Sequence, residues 1–309
     1  MKIVFLDAYS IGDADMSALE ALGEWTAYEQ TAPDEVIARC TGADVVITNK
    51  VKLMQPELEA LPGLKLICIA ATGMNNVDLT TAARKSITVK NVADYSTDSV
   101  AELTVTLALD LMHHSAYYDR YVKSGRYSAS GRFTHHDRPF AEINGKNWGI
   151  IGMGHIGRRV AEIASVFGAH VFYYSTSGKN LDAGYPHKSL NGLLAESDII
   201  SIHAPLNGQT HYLIDYNALC LMKPSAYLIN VGRGGIVKET DLVQALRERR
   251  LAGAGLDVFE QEPLPGDHPL LSADIQDQLL LTPHLAWASA EARQRLVDTM
   301  VQHIKDYFG

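Results

Sequence analysis

Three stretches in the final third of this sequence pair an apolar run with side chains suited to chemistry. Leu228-Ile229-Asn230-Val231-Gly232-Arg233-Gly234-Gly235 ends in an arginine set between glycines. Gly255-Leu256-Asp257-Val258-Phe259-Glu260-Gln261-Glu262-Pro263 ends among carboxylates, and Leu281-Thr282-Pro283-His284-Leu285-Ala286-Trp287 places a histidine just past a third run. A forked, permanently charged guanidinium can hold a carboxylate and polarise a carbonyl together. An imidazole gives or takes a proton near neutrality, and a glutamate beside it orients the ring and favours its charged form. Taken one at a time, these residues read equally well as a surface arginine, a solvated glutamate and a core histidine.

A fourth stretch is built for phosphate. Asn147-Trp148-Gly149-Ile150-Ile151-Gly152-Met153-Gly154-His155-Ile156-Gly157 carries GxGxxG after an apolar strand and before a helical run. Gly152 allows the tight turn, Gly154 lets backbone approach a pyrophosphate, and Gly157 lets the helix pack close to the strand. His155 and Ile156 lie in the same turn, where the helix N-terminus offers N–H groups to an anion. The acid expected about 20 residues on, at the end of the next strand, is missing. Ser175-Thr176-Ser177-Gly178-Lys179 stands there instead. The departure removes the grip on an unmodified ribose and the charge that repels a 2′-phosphate, so NAD and NADP are both expected.

Elements that position these stretches are read from periodicity and capping. Residues 2–7, 43–48 and 64–71 read as buried strands, with a weaker one near 87–92. Helices are expected near 15–22, 33–41, 56–61 and 78–85. Residues 96–124 contain no proline or glycine and read as one long helix with a Ser96-Thr97-Asp98 entry. The stretch 125–145 is irregular, either a surface loop or a segment for subunit contact or site covering. Six further strands follow, near 147–151, 170–174, 198–203, 226–230, 253–257 and 279–282, and a helix over 288–307 packs back on the first domain. The fold class is α/β with two doubly wound domains: residues 1–97 completed by 287–309, and 98–286 between them.

The sequence resembles the D-isomer-specific 2-hydroxyacid dehydrogenase family across essentially its whole length. NVGRG, GLDVFEQEP and TPH carry the resemblance, with His203-Ala204-Pro205-Leu206 and Ala71-Thr72-Gly73-Met74-Asn75-Asn76-Val77-Asp78 beside them. It implies a Rossmann-type NAD(P)-binding domain inserted into a smaller, flavodoxin-like substrate domain, with the active site in a cleft between them. It implies Arg233, Glu262 and His284 as the catalytic set, which is what hydride addition to a 2-keto acid requires. Thr72 and Gly73 resemble a backbone cradle for the substrate carboxylate. His203, Pro205, Val231 and Asp257 join the cofactor contacts, His203 as a backbone contact and not an acid or base. Asp257 reads either as a nicotinamide-carboxamide contact or as a strand-end cap, and Trp287 either as a substrate-pocket wall or as core. The implied substrates are small: glycerate and hydroxypyruvate (with glyoxylate) first, D-lactate second. A homodimer through the cofactor domain is implied too. The same fold also serves as a dinucleotide-sensing corepressor, a reading that differs in class.

Bulk properties narrow the field. Over 309 residues, 47% hydrophobic and 20% charged is globular composition with room for two cores. A net charge of −9 speaks against nucleic acid as a partner. Cys40, Cys68 and Cys220 are dispersed and odd in number, which reads as reduced thiols in a cytoplasmic protein. Met1 to Asp7 reads as a strand, not a signal peptide, and no apolar run reaches the ~18–20 residues of a membrane span. His135-His136 has no second ligand cluster, so no metal site is expected.

Overall fold

Runs of valine, isoleucine and leucine without polar alternation become strands buried on both faces, as a parallel sheet between helical layers requires. The computed structural model describes residues 1–181 and 184–309. They divide into two units, Met1–Ser96 with Trp287–Gly309, and Thr97–Ala286.

In the first unit, β1 (Lys2–Phe5), β2 (Glu24–Ala27), β3 (Val45–Thr48), β4 (Leu66–Ile69) and β5 (Thr88–Asn91) form a parallel sheet in the order β2-β1-β3-β4-β5. This is the flavodoxin-like order. Strand β2 has no apolar signature in the sequence because it is an edge: Trp25 alone packs inward, edge-on to Phe5 at 6.3 Å between ring centroids. The C-terminal helix Ala290–Phe308 is capped by Ser289 Oγ, which accepts from Ala292 N at 3.2 Å. Its Ala292, Leu296, Met300 and Ile304 stripe packs with Ile3, Phe5 and Leu19 of this unit.

In the second unit, β6 (Asn147–Ile151), β7 (His170–Tyr174), β8 (Ile199–Ile202), β9 (Tyr227–Asn230), β10 (Gly253–Leu256) and β11 (Leu279–Leu281) are also all parallel. Their order is β11-β10-β9-β8-β6-β7. Beyond β7 lies one parallel bridge from Tyr173 to His187, with Tyr173 N donating to Pro186 O at 3.0 Å and Lys188 N to Tyr173 O at 2.8 Å. Counting this remnant as a strand restores the 3-2-1-4-5-6 order of dinucleotide-binding sheets, with β11 added at the far edge.

The reading of residues 96–124 as one helix is corrected. Thr97–His113 and Ser115–Lys123 are separate helices, broken where His114 takes a left-handed conformation at φ 53°. The two halves serve different neighbours. Leu107 and Leu111 pack over Gly255 and Gly253 of β10, whereas Tyr117 and Tyr121 gather around His135. The segment after 125 is also less irregular than expected, since Arg126–Ser130 forms a short helix. Among the described residues no helix is long and apolar enough to cross a membrane.

Candidate active site

Strand register alone aligns five of the candidate residues. Tyr174 lies opposite Ile151, Ile151 opposite Ile202, Ile202 opposite Asn230, Asn230 opposite Leu256, and Leu256 opposite Leu281. The next residue on each strand is therefore Ser175, Gly152, His203, Val231, Asp257 and Thr282, one row along the C-terminal edge. Open α/β sheets take their ligands at this edge, where strand order reverses, here between β6 and β8.

The phosphate half of the row has the form that a dinucleotide needs. Gly152 turns at φ +94°, and a Cβ there would meet the Ala204 backbone at 2.9 Å. A Cβ at Gly157 would stand 2.2 Å from the Gly152 carbonyl oxygen, so helix His155–Val166 approaches β6 only through a glycine. At Gly154, the N-cap of that helix, a Cβ would meet nothing within 4 Å. The space before the helix N-terminus is thus open, as a pyrophosphate contact requires. His155 is exposed there and Ile156 half-buried, while Val231 is buried and Pro205 exposed across the row. Both ring nitrogens of His203 are buried and find no hydrogen-bond partner among the described residues. Burial pushes its pKa down to about 3, so the ring is neutral. Such an orphan needs a ligand at this edge to satisfy it, which fits a dinucleotide.

Ser175 begins a loop that returns to the glycine turn. Tyr173 Oη donates to Asn180 O at 2.7 Å, and Asn180 Nδ2 donates to Met153 O at 3.2 Å. This leaves Ser175 buried, Thr176 half-buried, and Ser177 and Lys179 exposed beside the turn.

The reacting half is assembled from the ends of β9, β10 and β11. His284 Nδ1 and Glu262 Oε2 are 2.7 Å apart, and Phe259 N donates to Glu262 Oε1 at 3.0 Å. An ionised glutamate only accepts, so Nδ1 carries the proton and Nε2 is the nitrogen that exchanges one. Arg233 is exposed, with Nη1 donating to Gly232 O at 2.7 Å. Its loop is shaped by the buried Asn230, whose Oδ1 accepts from Gly232 N at 3.1 Å and whose Nδ2 donates to Arg233 O at 2.9 Å. Arg233, Glu260 and Glu262 line a cavity of about 300 Å³ with Leu206, His211, Tyr212 and Phe259. Arginine, glutamate and histidine are brought to one place.

His284 is held left-handed at φ 52°, a strained state for a residue with a side chain. Asp257 over-determines it. His284 N donates to Asp257 O at 2.8 Å. The Asp257 carboxylate accepts from Thr282 Oγ1 at 2.6 Å, Leu285 N at 2.9 Å and Ala286 N at 2.9 Å. Asp257 is fully buried, which raises its pKa, and these three donors offset part of that. Asp257 thus caps the strand end, and its place in the row keeps it at the same edge as the candidate cofactor contacts.

The remaining candidates lie in the first unit. Thr72 and Gly73 follow β4 at its C-terminal edge; Thr72 Oγ1 donates to Val92 O at 3.0 Å, and Asn91 Nδ2 donates to Thr72 O at 2.7 Å. Trp287 is half-buried and packs edge-on to Tyr95 at 6.3 Å against the first unit's core. His135 stacks on Tyr121 at 3.8 Å, with Nε2 2.8 Å from Tyr117 Oη. Among the described residues no group of three or more His, Cys, Asp or Glu is placed to hold a metal.

Comparison with known proteins finds relatives along the whole chain. Residues 105–286 match the model of the D-isomer specific 2-hydroxyacid dehydrogenase, NAD binding domain. Hydroxypyruvate reductase of Blautia hydrogenotrophica is 37% identical, over 99% of this chain and 97% of that protein. Glycerate dehydrogenase of Methylorubrum extorquens is 38% identical over 99% and 96%. The structure of an NADPH-dependent glyoxylate/hydroxypyruvate reductase from Sinorhizobium meliloti, solved with NADP and malonate, superposes with a TM-score of 0.84. The two share 28% identity over 100% of this chain and 94% of that one. The chain belongs to the D-isomer-specific 2-hydroxyacid dehydrogenase family. It is an oxidoreductase that moves a hydride between NAD or NADP and a small 2-hydroxy or 2-keto acid.

Proposed function

We propose that the chain is a glycerate dehydrogenase/hydroxypyruvate reductase that also reduces glyoxylate. The observation that carries the reading is the 2.7 Å pair of His284 with Glu262 beside Arg233, on the same sheet edge as the glycine turn. The unit Thr97–Ala286 takes the dinucleotide, and Thr72 and Gly73 are carboxylate contacts. Gly152, Gly154, His155, Ile156 and Gly157 hold the pyrophosphate; Ser175, Thr176, Ser177 and Lys179 meet the adenosine ribose; His203, Pro205 and Val231 line the sheet edge. The bound cofactor supplies or accepts the hydride. Arg233 binds the substrate carboxylate and polarises its carbonyl, and His284 Nε2–H gives the proton to the forming hydroxyl. Glu262 holds the ring and stabilises the imidazolium. Asp257 acts by fixing the 282–286 backbone.

Substrate choice is tested by kcat/KM over a panel of 2-keto acids with NADH and NADPH. Hydroxypyruvate and glyoxylate are expected at the top, and a higher value for pyruvate, phenylpyruvate or 2-ketoisocaproate overturns the assignment. Cofactor choice follows from residue 175. With a serine there and Lys179 nearby, NADPH is accepted alongside NADH. In Ser175→Asp the new carboxylate repels the 2′-phosphate, so NADPH affinity is expected to fall ~10-fold or more while NADH is retained. Fluorescence titration of both dinucleotides checks it; unchanged ratios would show that residue 175 does not meet the ribose.

Assembly and location complete the reading. Phe133 is 92% and Phe140 65% exposed in the segment after the Ser115–Lys123 helix. Apolar rings so uncovered suit a second copy of the chain, giving a homodimer through the cofactor-binding unit. Cys40, Cys68 and Cys220 are all free thiols, in keeping with the cytoplasm.

A further inference from the structure

We propose that Glu239 is a positioning residue for the reaction: it clamps the segment that carries Glu262 and adds negative charge behind the Glu262–His284 pair. The role rests on the reading of that pair given above. Glu239 opens the helix Glu239–Arg247, and only 3% of its side chain is exposed. Its Oε1 accepts from Glu260 N at 2.7 Å, and its own N donates to Glu260 Oε1 at 2.8 Å. The two glutamates thus lock each other's backbones across 21 residues. Glu260 Oε2 accepts in turn from Tyr212 Oη at 3.0 Å. Around Glu260, Phe259 N donates to Glu262 Oε1 and closes the turn that presents Glu262 Oε2 to His284.

A clamp alone does not need an ionisable group, because a glutamine oxygen accepts from Glu260 N equally well. The buried carboxylate is costly: burial, with Glu260 and Glu262 adding repulsion, pushes its pKa up to about 7. The groups facing it are Glu260, Glu262, Tyr212, the adjacent Lys238 and His268. Lys238 Nζ is spent on Asp241 at 3.0 Å. His268 Nε2 lies 3.2 Å from Glu239 Oε2, within ion-pair range though not aligned as a hydrogen bond, while Nδ1 accepts from Leu270 N at 3.3 Å. Around His284 the charged groups are Glu262, the buried Asp257 and, lining the same cavity as Glu262, the cationic Arg233. Ionised Glu239 therefore adds to the negative charge behind the pair, and does so in the pH range above its own titration.

The test separates charge from clamp. Glu239→Gln keeps the acceptor and removes the charge; Glu239→Asp keeps the charge and falls short of Glu260 N. In Glu239→Gln the alkaline fall-off of kcat/KM for hydroxypyruvate reduction is expected to move down by about 0.5 pH unit, with kcat at neutral pH changed little. In Glu239→Asp the fall-off stays in place and kcat drops ~10-fold. Both variants should bind NADPH as wild type does by fluorescence titration. Folding is no obstacle: a native pKa raised from 4.5 to about 7 makes the ionised group lose stability as pH rises through that window. Glu239→Gln should therefore melt no lower than wild type at pH 8, and gain less at pH 4.5. An unmoved profile in Glu239→Gln, beside an inactive His284→Ala, overturns this role alone. Turnover retained in His284→Ala overturns the pair and this role with it.

Discussion

Replacing His284 with alanine is expected to lower kcat for 2-keto acid reduction by ~10²–10⁴-fold while leaving NADPH binding within a factor of two. The imidazole has one nitrogen fixed by a carboxylate, which leaves the other for proton exchange. Its loss removes the donor to the forming hydroxyl and leaves Glu262 without its partner. The proposed dinucleotide contacts are elsewhere, at the glycine turn and the ends of β6 to β9. The backbone at 284 is also left-handed, and alanine tolerates that state no better than histidine. Melting temperature must be measured alongside turnover, so that a loosened 282–286 segment is not mistaken for lost chemistry. Binding by fluorescence titration and turnover at saturating cofactor check the split; near-wild-type kcat would remove His284 from its role.

A second large effect is expected where no reactive group changes. A Cβ at Gly234 would lie 1.9 Å from the Phe259 carbonyl carbon, 2.0 Å from its oxygen and 2.4 Å from Glu260 N. All three are backbone atoms, so no side chain can yield. Either the arginine loop lifts or the 259–262 segment recedes, by about an ångström, and Arg233 and Glu262 part company. Misplacement on that scale costs ~10²-fold in rate, and overpacking adds about 1–3 kcal/mol of instability. Gly234→Ala should therefore lose ~10²-fold or more in kcat/KM and melt lower, with NADPH affinity changed far less. Steady-state kinetics and a melting curve decide it; kcat/KM within threefold of wild type would mean that the two loops are free to adjust.

Legibility followed chain locality. Each chemical stretch sits directly after an apolar run, so the strands and the row of residues past their ends could be read from the sequence. Arg233, Glu262 and His284 were picked out by type and resemblance, and strand register then explains why they meet. Strand β2 escaped because an edge strand buries one ring and alternates nothing. The break at His114 escaped because neither glycine nor proline marks it; what turns the chain is a change of packing partner. Gly234 and Glu239 escaped for a third reason. Their roles are contacts with Phe259 and Glu260, more than 20 residues away in sequence, and no local pattern announces such a contact. For Asp257 and Trp287 the sequence left two readings open. The structure adds the hydrogen bonds of Asp257 to the 282–286 segment and the packing of Trp287 on Tyr95, each compatible with either reading.

The central claim is that this edge performs a D-specific hydride and proton transfer and does not merely sense a dinucleotide. Purified chain, hydroxypyruvate and limiting NADPH should give glycerate in equal amount to the NADPH consumed. Chiral chromatography should show the D isomer alone, and His284→Ala should bind NADPH without consuming it. NADPH bound by the wild type but not oxidised, with any 2-keto acid of the panel, or glycerate of the L form, would contradict the account.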